Sequence, residues 1–321
     1  STQQFGAVRD ASHTQGLSPT AAEPRTLTPR AFLPLIFRAY VDPNAAHIGY
    51  GANIASADHV TILAGMGFDW AKGFVAWGDA GAGPSYNWVH VDNQLGQFLP
   101  QVRNVLLRLS GPTPPGIGNP PVSPSDRAAF QAFASALADY VNTGWRPQGL
   151  QTVAYEIWNE PNLGSEWGAM PNVADYTALL KAGNAGIKAG DPAAWVVSAG
   201  LATTGGSRAE LALARQIYGT DAVIADLTFL RGMYDNLARG HFDALGSHPF
   251  GGPDDPATPP EEATGPIYFR RAEEQHQVML AYGDDSPVWA TEFGWVLETS
   301  CDLGYHEWME VSELQQAEYL A

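Results

Sequence analysis

The chain has 321 residues, long for an ordinary domain but within reach of an α/β barrel, which commonly runs to about 250 residues as one unit. Hydrophobic residues at 45% are ample for a sizeable core. Seventeen Lys and Arg against 34 Asp and Glu give a net charge of −17, which argues against nucleic acid and anionic membrane surfaces, since both select basic patches.

The single cysteine, Cys301, cannot form an intrachain disulfide, which fits a cytosolic protein and equally a secreted one that does without bridges. No apolar run is long enough to span a bilayer, so no membrane insertion is expected. The chain begins at Ser1 with no visible signal segment and reads as a mature or trimmed product. Residues 1–46 are expected to form a flexible leader or linker, ending in an extended apolar segment, Ala31 to Tyr40, that is broken by Pro34.

From residue 47 to 321 short β-prone runs alternate with helical patterns, the signature of a parallel α/β fold. Strands are predicted at Ile48–Ile54, Asp69–Trp77 and Asn104–Gly111. The loop that follows, Pro112 to Pro124, holds six prolines and excludes regular structure. The clearest helix comes next, capped by Ser123 or Ser125, with Phe130, Phe133, Leu137 and Val141 at helical spacing. A fourth strand starts at Thr152, and Asn172 caps the helix after it. Further strands are predicted at Trp195–Ala202 and Phe242–Phe250, with a seventh in Val288–Trp295. That makes seven strands where a (β/α)8 TIM barrel needs eight, so the eighth strand is expected to be missing from this chain, leaving the barrel catalytic domain C-terminally incomplete.

Two stretches carry the chemistry. YEIWNEPN, Tyr155 to Asn162, places Glu160 where a strand gives way to a loop at Pro161; VWATEFGW, Val288 to Trp295, places Glu292 at another strand end. A parallel barrel gathers its strand ends over one pocket. Two carboxyls there meet the need of glycoside cleavage for a proton donor and for a group that attacks the anomeric carbon or activates water. If alternation extends from Glu160 back through Trp158 and Glu156, these point inward, as do Lys72 and Arg108. Glu156 is then expected to pair with Lys72, Arg108 or both, because a buried charge needs a partner.

The NEP tripeptide at the end of strand four, with a glutamate at the end of strand seven, resembles the retaining glycoside hydrolases of clan A. The fuller forms EIWNEPN and WATEFGW are most similar to family 39 and its bacterial relatives. The resemblance implies Glu160 as general acid/base, Glu292 as nucleophile and Asn159 as a ligand of the sugar 2-hydroxyl. It also implies a site-lining role for His248. Where relatives often carry a tyrosine oriented toward the nucleophile, this chain has Phe250, so another group is expected to hydrogen-bond Glu292.

Trp77, Trp88, Trp167 and Trp295 lie at strand ends or in adjoining loops and are candidates for sugar stacking, Trp77 and Trp295 foremost. No dinucleotide fingerprint, Walker loop, zinc spacing or nucleophile elbow is present, and neither cofactor nor metal is expected. The expected function is a secreted retaining glycosidase acting on a β-linked oligosaccharide or polysaccharide. The alternatives are a non-catalytic carbohydrate-binding barrel and a module of a larger secreted protein.

Overall fold

A computed structural model of the chain describes residues 36–37, 49–54, 57–298 and 308–319. The expected leader over residues 1–46 lies outside these apart from Ile36 and Phe37, and so does Cys301.

Seven parallel strand positions follow one another around a curved sheet: β1 (Gly51–Asn53), β2 (Trp70–Ala76), β3 (Asn104–Ser110), β4 (Thr152–Ile157), β5 (Trp195–Ser198), β6 (Leu245–His248) and β7 (Val288–Ala290). Strands β1 to β5 form one continuous ladder. A bridge between Val197 and Ala244 carries the sheet on to β6, which pairs with β7. On the far edge of β7 lies a two-residue antiparallel strand, Ile36–Phe37, in register with Trp289 and Val288. Among the described residues no strand pairs with the other edge of β1. The architecture is therefore a TIM barrel in which, among the described residues, no strand bridges Ile36–Phe37 and β1.

The helices coat the outside: α1 (Ala57–Gly65), α2 (Val89–Phe98), α3 (Pro124–Gly144), α4 (Val173–Gly190), α5 (Arg208–Ile217), α6 (Asp226–Asp235) and α7 (Arg271–Ala281). Ser123 caps α3 by accepting from the Asp126 amide, and Pro124 starts it where a missing N–H costs nothing. Phe130, Phe133, Leu137 and Val141 are fully buried on its inner face, each contributing roughly 1.5–3 kcal/mol. Asn172 caps α4 through the Ala174 and Asp175 amides. Helices α3 and α4 approach closely because α4 is bare at Gly186, where a Cβ would stand 2.3 Å from the Gln131 carbonyl.

Inside the barrel, Trp70, Leu106, Ala154, Val197, Ala244 and Trp289 form an apolar floor. Each belongs to a different strand or strand entrance, and their packing excludes water from below. The residues two places further along β2, β3 and β4 are Lys72, Arg108 and Glu156, so the floor carries a charged layer directly above it.

Two strand expectations change. The predicted strand Trp195–Ala202 breaks at Ala199 and Gly200 and resumes as Leu201–Ala202, paired with Ser247 and His248. The break lets the Gly200 amide turn toward Glu156 (3.1 Å) and makes room for His248, whose ring would sit 2.1 Å from a Cβ at Gly200. Alternation also does not extend from Glu156 to Glu160. The ladder ends at Ile157, and Trp158 and Glu160 take positive φ values of 75° and 37°.

Candidate active site

Those two left-handed residues aim the NEP segment. Non-glycine residues pay about 1–3 kcal/mol each for such backbone, and it persists where surrounding contacts over-determine it. Here the Glu160 amide donates to the Gly200 carbonyl (3.1 Å), and the Leu163 amide donates back to the Glu160 carbonyl (2.9 Å). Trp158 is buried edge-on against Trp167 and donates through Nε1 to the Glu166 carbonyl (3.2 Å). Glu160 is thereby delivered to the barrel mouth by a turn anchored to β5.

His248, at the end of β6, is fully buried. Its Nδ1 lies 2.8 Å from Glu160 Oε1, while Nε2 lies 4.0 Å from Glu292 Oε1 and 3.7 Å from Glu156 Oε1. One imidazole therefore spans the space between the two strand-end glutamates. Burial opposes its charge, but Glu292, Glu156 and Glu160 together push its pKa up to about 9.

Glu292 sits in different surroundings. Its Oε1 accepts from Lys72 Nζ (2.9 Å) and from Arg108 Nη1 (2.8 Å). Burial works against its ionisation, but the positive charges of His248, Lys72 and Arg108 outweigh it and hold the carboxyl below the usual range. Lys72 and Arg108 are thus the groups that hydrogen-bond Glu292 in a chain with Phe250 in place of tyrosine; Phe250 packs edge-on to His248 instead. Phe74 backs both cations, 4.5 Å from the Arg108 guanidinium and 5.8 Å from Lys72 Nζ.

Glu156 pairs with Lys72, at 2.8 Å, and Arg108 turns instead to Glu292 and Asn159. Asn159 has both ends of its amide engaged: Oδ1 accepts from Arg108 (2.7 Å) and Nδ2 donates to Glu166 (2.7 Å). Glu166 had no signal in the sequence, because the loop after Pro161 folds back to bring it there. Lys72 and Arg108 were legible as inward-facing, but not their convergence on Glu292, which requires the barrel to curve.

The tryptophan expectations are corrected by packing. Trp77 is wholly buried on the outer side of the sheet, stacked on Phe133 and edge-on to Phe130. Trp167 is buried between Trp158 and Tyr176. Trp295 lies directly over Gly251, flanked by Phe269, Phe293 and Tyr319, with Nε1 donating to the Asp254 carbonyl. All three rings are enclosed by their neighbours, leaving little surface for a sugar to stack on. Trp88 stacks on Tyr86 and Tyr140 at the outer surface.

Among the described residues no group of His, Cys, Asp and Glu is arranged to hold a metal ion, and no helix is long and apolar enough to cross a membrane.

No family model and no curated protein matches the chain. Solved structures do. A glucosidase from Croceicoccus marinus aligns at TM-score 0.54 and 15% identity, over 85% of this chain and 55% of its own. The exo-β-1,4-mannosidase Op5Man5 from an Opitutaceae bacterium aligns at TM-score 0.52 and 16% identity, over 89% and 52%. A monomeric β-xylosidase from Caulobacter crescentus aligns at TM-score 0.49 and 17% identity, over 76% and 51%. The chain spans about half the length of these proteins, and at such identities the likeness is one of fold. What the chain shares with the glucosidase and the mannosidase is the TIM-barrel framework.

Proposed function

We propose that the chain is a retaining glycoside hydrolase of β-linked glycans, with Glu292 as nucleophile and Glu160 as acid/base. The observation that carries this is the contrast between two glutamates held one imidazole apart. Glu292 is clamped as an anion by two cations, whereas Glu160 is bonded to a histidine that retains a proton up to about pH 9. Two carboxyls in unlike environments are how one site runs acid and base chemistry together.

In the first step the Glu292 carboxylate attacks the anomeric carbon. The bond to the leaving oxygen breaks, and the Glu160–His248 pair supplies the proton that this oxygen takes. In the second step Glu160 accepts a proton from water, water attacks the same carbon, and the bond to Glu292 is released. Asn159, fixed by Arg108 and Glu166, presents its amide to the sugar beside the reacting carbon. The reading includes a further strand of the same barrel on the edge of β1, and a location outside the cell, where polymeric glycans are met.

The test is turnover of aryl β-glycosides and polysaccharides by the wild type, Glu160→Gln and Glu292→Gln. Hydrolysis lost by about 10²–10⁴-fold in Glu160→Gln, and at least as far in Glu292→Gln, supports the reading. Binding of a glycan by all three proteins without turnover supports a carbohydrate-binding barrel instead.

A further inference from the structure

Beneath the two candidate catalytic glutamates lies a third carboxylate that no step above uses. Glu156 is fully buried. Its Oε1 accepts from the Thr291 hydroxyl (2.6 Å) and the Gly200 amide (3.1 Å); its Oε2 faces Lys72 Nζ at 2.8 Å. Lys72 in turn donates to Glu292 (2.9 Å) and the Thr291 carbonyl (3.2 Å) while its ammonium is ion-paired to Glu156. Three oxygens, one on β4 and two just past the end of β7, thus hold a flexible lysine in one place, and Glu156 is the one of them beneath the mouth.

Two cations, Lys72 and Arg108, are ion-paired to two carboxylates, Glu156 and Glu292, and His248 lies within 4.0 Å of all three glutamates. The neighbours of Glu156 come from every side: Lys72 on β2, Arg108 on β3, His248 on β6, Glu292 after β7, and the Tyr176 hydroxyl on α4. Glu160 faces His248, and its charge reaches the Tyr218 hydroxyl, which donates to the Thr203 carbonyl (2.9 Å).

We infer that Glu156 is a positioning residue of this site: it fixes Lys72 against Glu292 and, from below His248, supplies the negative charge that the imidazole faces. Burial opposes its ionisation, but Lys72 and His248 hold its carboxyl well below the usual range, so this negative charge is present throughout the working pH range. Its removal frees Lys72 to act on Glu292 alone and takes an anion from beside His248. Both changes favour loss of protons, so both limbs of a pH–rate profile move toward acid.

The activity arm rests on the glycosidase reading; a second arm does not. The His248 ring is followed by ¹⁵N NMR across pH, its signal identified by its absence in His248→Gln. In the wild type the midpoint is expected near 9. In Glu156→Gln it is expected to fall by about one pH unit or more, with both limbs of kcat/KM moving the same way, while Glu156→Asp, which keeps the charge, stays close to the wild type. A side chain needed only for packing moves neither midpoint nor limbs and is injured by Asp as much as by Gln. A wild-type midpoint below 7 overturns the inference even if Glu156→Gln does not fold, as does an unchanged midpoint in a folded Glu156→Gln. A shifted midpoint in a protein without turnover upholds the network and removes the glycosidase reading.

Discussion

Lys72 offers the sharpest test of the energetics. Replacement by Met keeps the stem that packs beside Phe74 and removes only the ammonium. Glu156, fully buried, then loses the ammonium at 2.8 Å and keeps only the more distant His248 at 3.7 Å, while Glu292 keeps Arg108. Breaking one side of a buried pair costs about 3–5 kcal/mol, because the remaining charge is stranded. The sign against pH follows from which state binds protons. In the wild type, the depressed carboxyls of Glu156 and Glu292 contribute stability that is present above about pH 4.5 and lost as pH falls. In Lys72→Met the stranded Glu156 is raised, so its penalty is relieved as pH falls. The gap between the two proteins in urea denaturation is therefore wide at pH 8 and narrow at pH 5. Adding Glu156→Gln to Lys72→Met removes the stranded charge and is expected to restore most of the loss at pH 8. A Lys72→Met protein within about 1 kcal/mol of the wild type at pH 8, or a double variant no more stable than the single one, refutes the reasoning.

His248 predicts a second pH dependence of opposite sense. Its raised pKa contributes stability that is complete below about pH 6.5 and lost as pH rises through about 9. The shift corresponds to about 3 kcal/mol; denaturation between pH 6.5 and 10 should show that decline in the wild type and little of it in His248→Gln. Trp77→Ala is expected to cost about 3–5 kcal/mol in stability through the cavity left against Phe130 and Phe133, with KM for any substrate unchanged under native conditions. A raised KM would return Trp77 to the sugar. Glu166→Ala frees the Asn159 amide to rotate, and kcat/KM is expected to fall on the order of ten- to a hundredfold with stability nearly unchanged. Equal rates in variant and wild type would show that Arg108 alone orients Asn159.

The barrel was legible because parallel strands buried on both faces read as short apolar runs, and seven such runs alternate with helices. Glu160 and Glu292 were legible because each stands where an apolar run stops. The tryptophans misled for a physical reason. A tryptophan just past a strand looks alike in sequence whether its ring turns into the barrel mouth or out toward the helices. Trp77 turns outward because Phe130 and Phe133 on α3 offer it an aromatic bed. The alternation argument reached Lys72, Arg108 and Glu156, all inside ladders, and failed past Ile157, where positive φ replaces the pleat. Glu166 was out of reach altogether, since a contact made across a folded-back loop leaves no period to read.

The groove between β7 and β1 is lined by Trp70, Leu106 and Trp289 at its floor and by Lys72 and Glu292 at its head. The ammonium at the centre of the charge network thus lies at the head of this groove. Charges interact several times more strongly across protein than across water. Whatever lies in that groove sets the dielectric in which Lys72 acts on Glu156 and Glu292. A dry filling tightens every coupling in the network, and a wet one loosens them together. Acidity at the barrel mouth and closure of the barrel wall are in this molecule two readings of a single variable, so a change made on the flank at β1 can retune the pH response without touching any residue at the mouth.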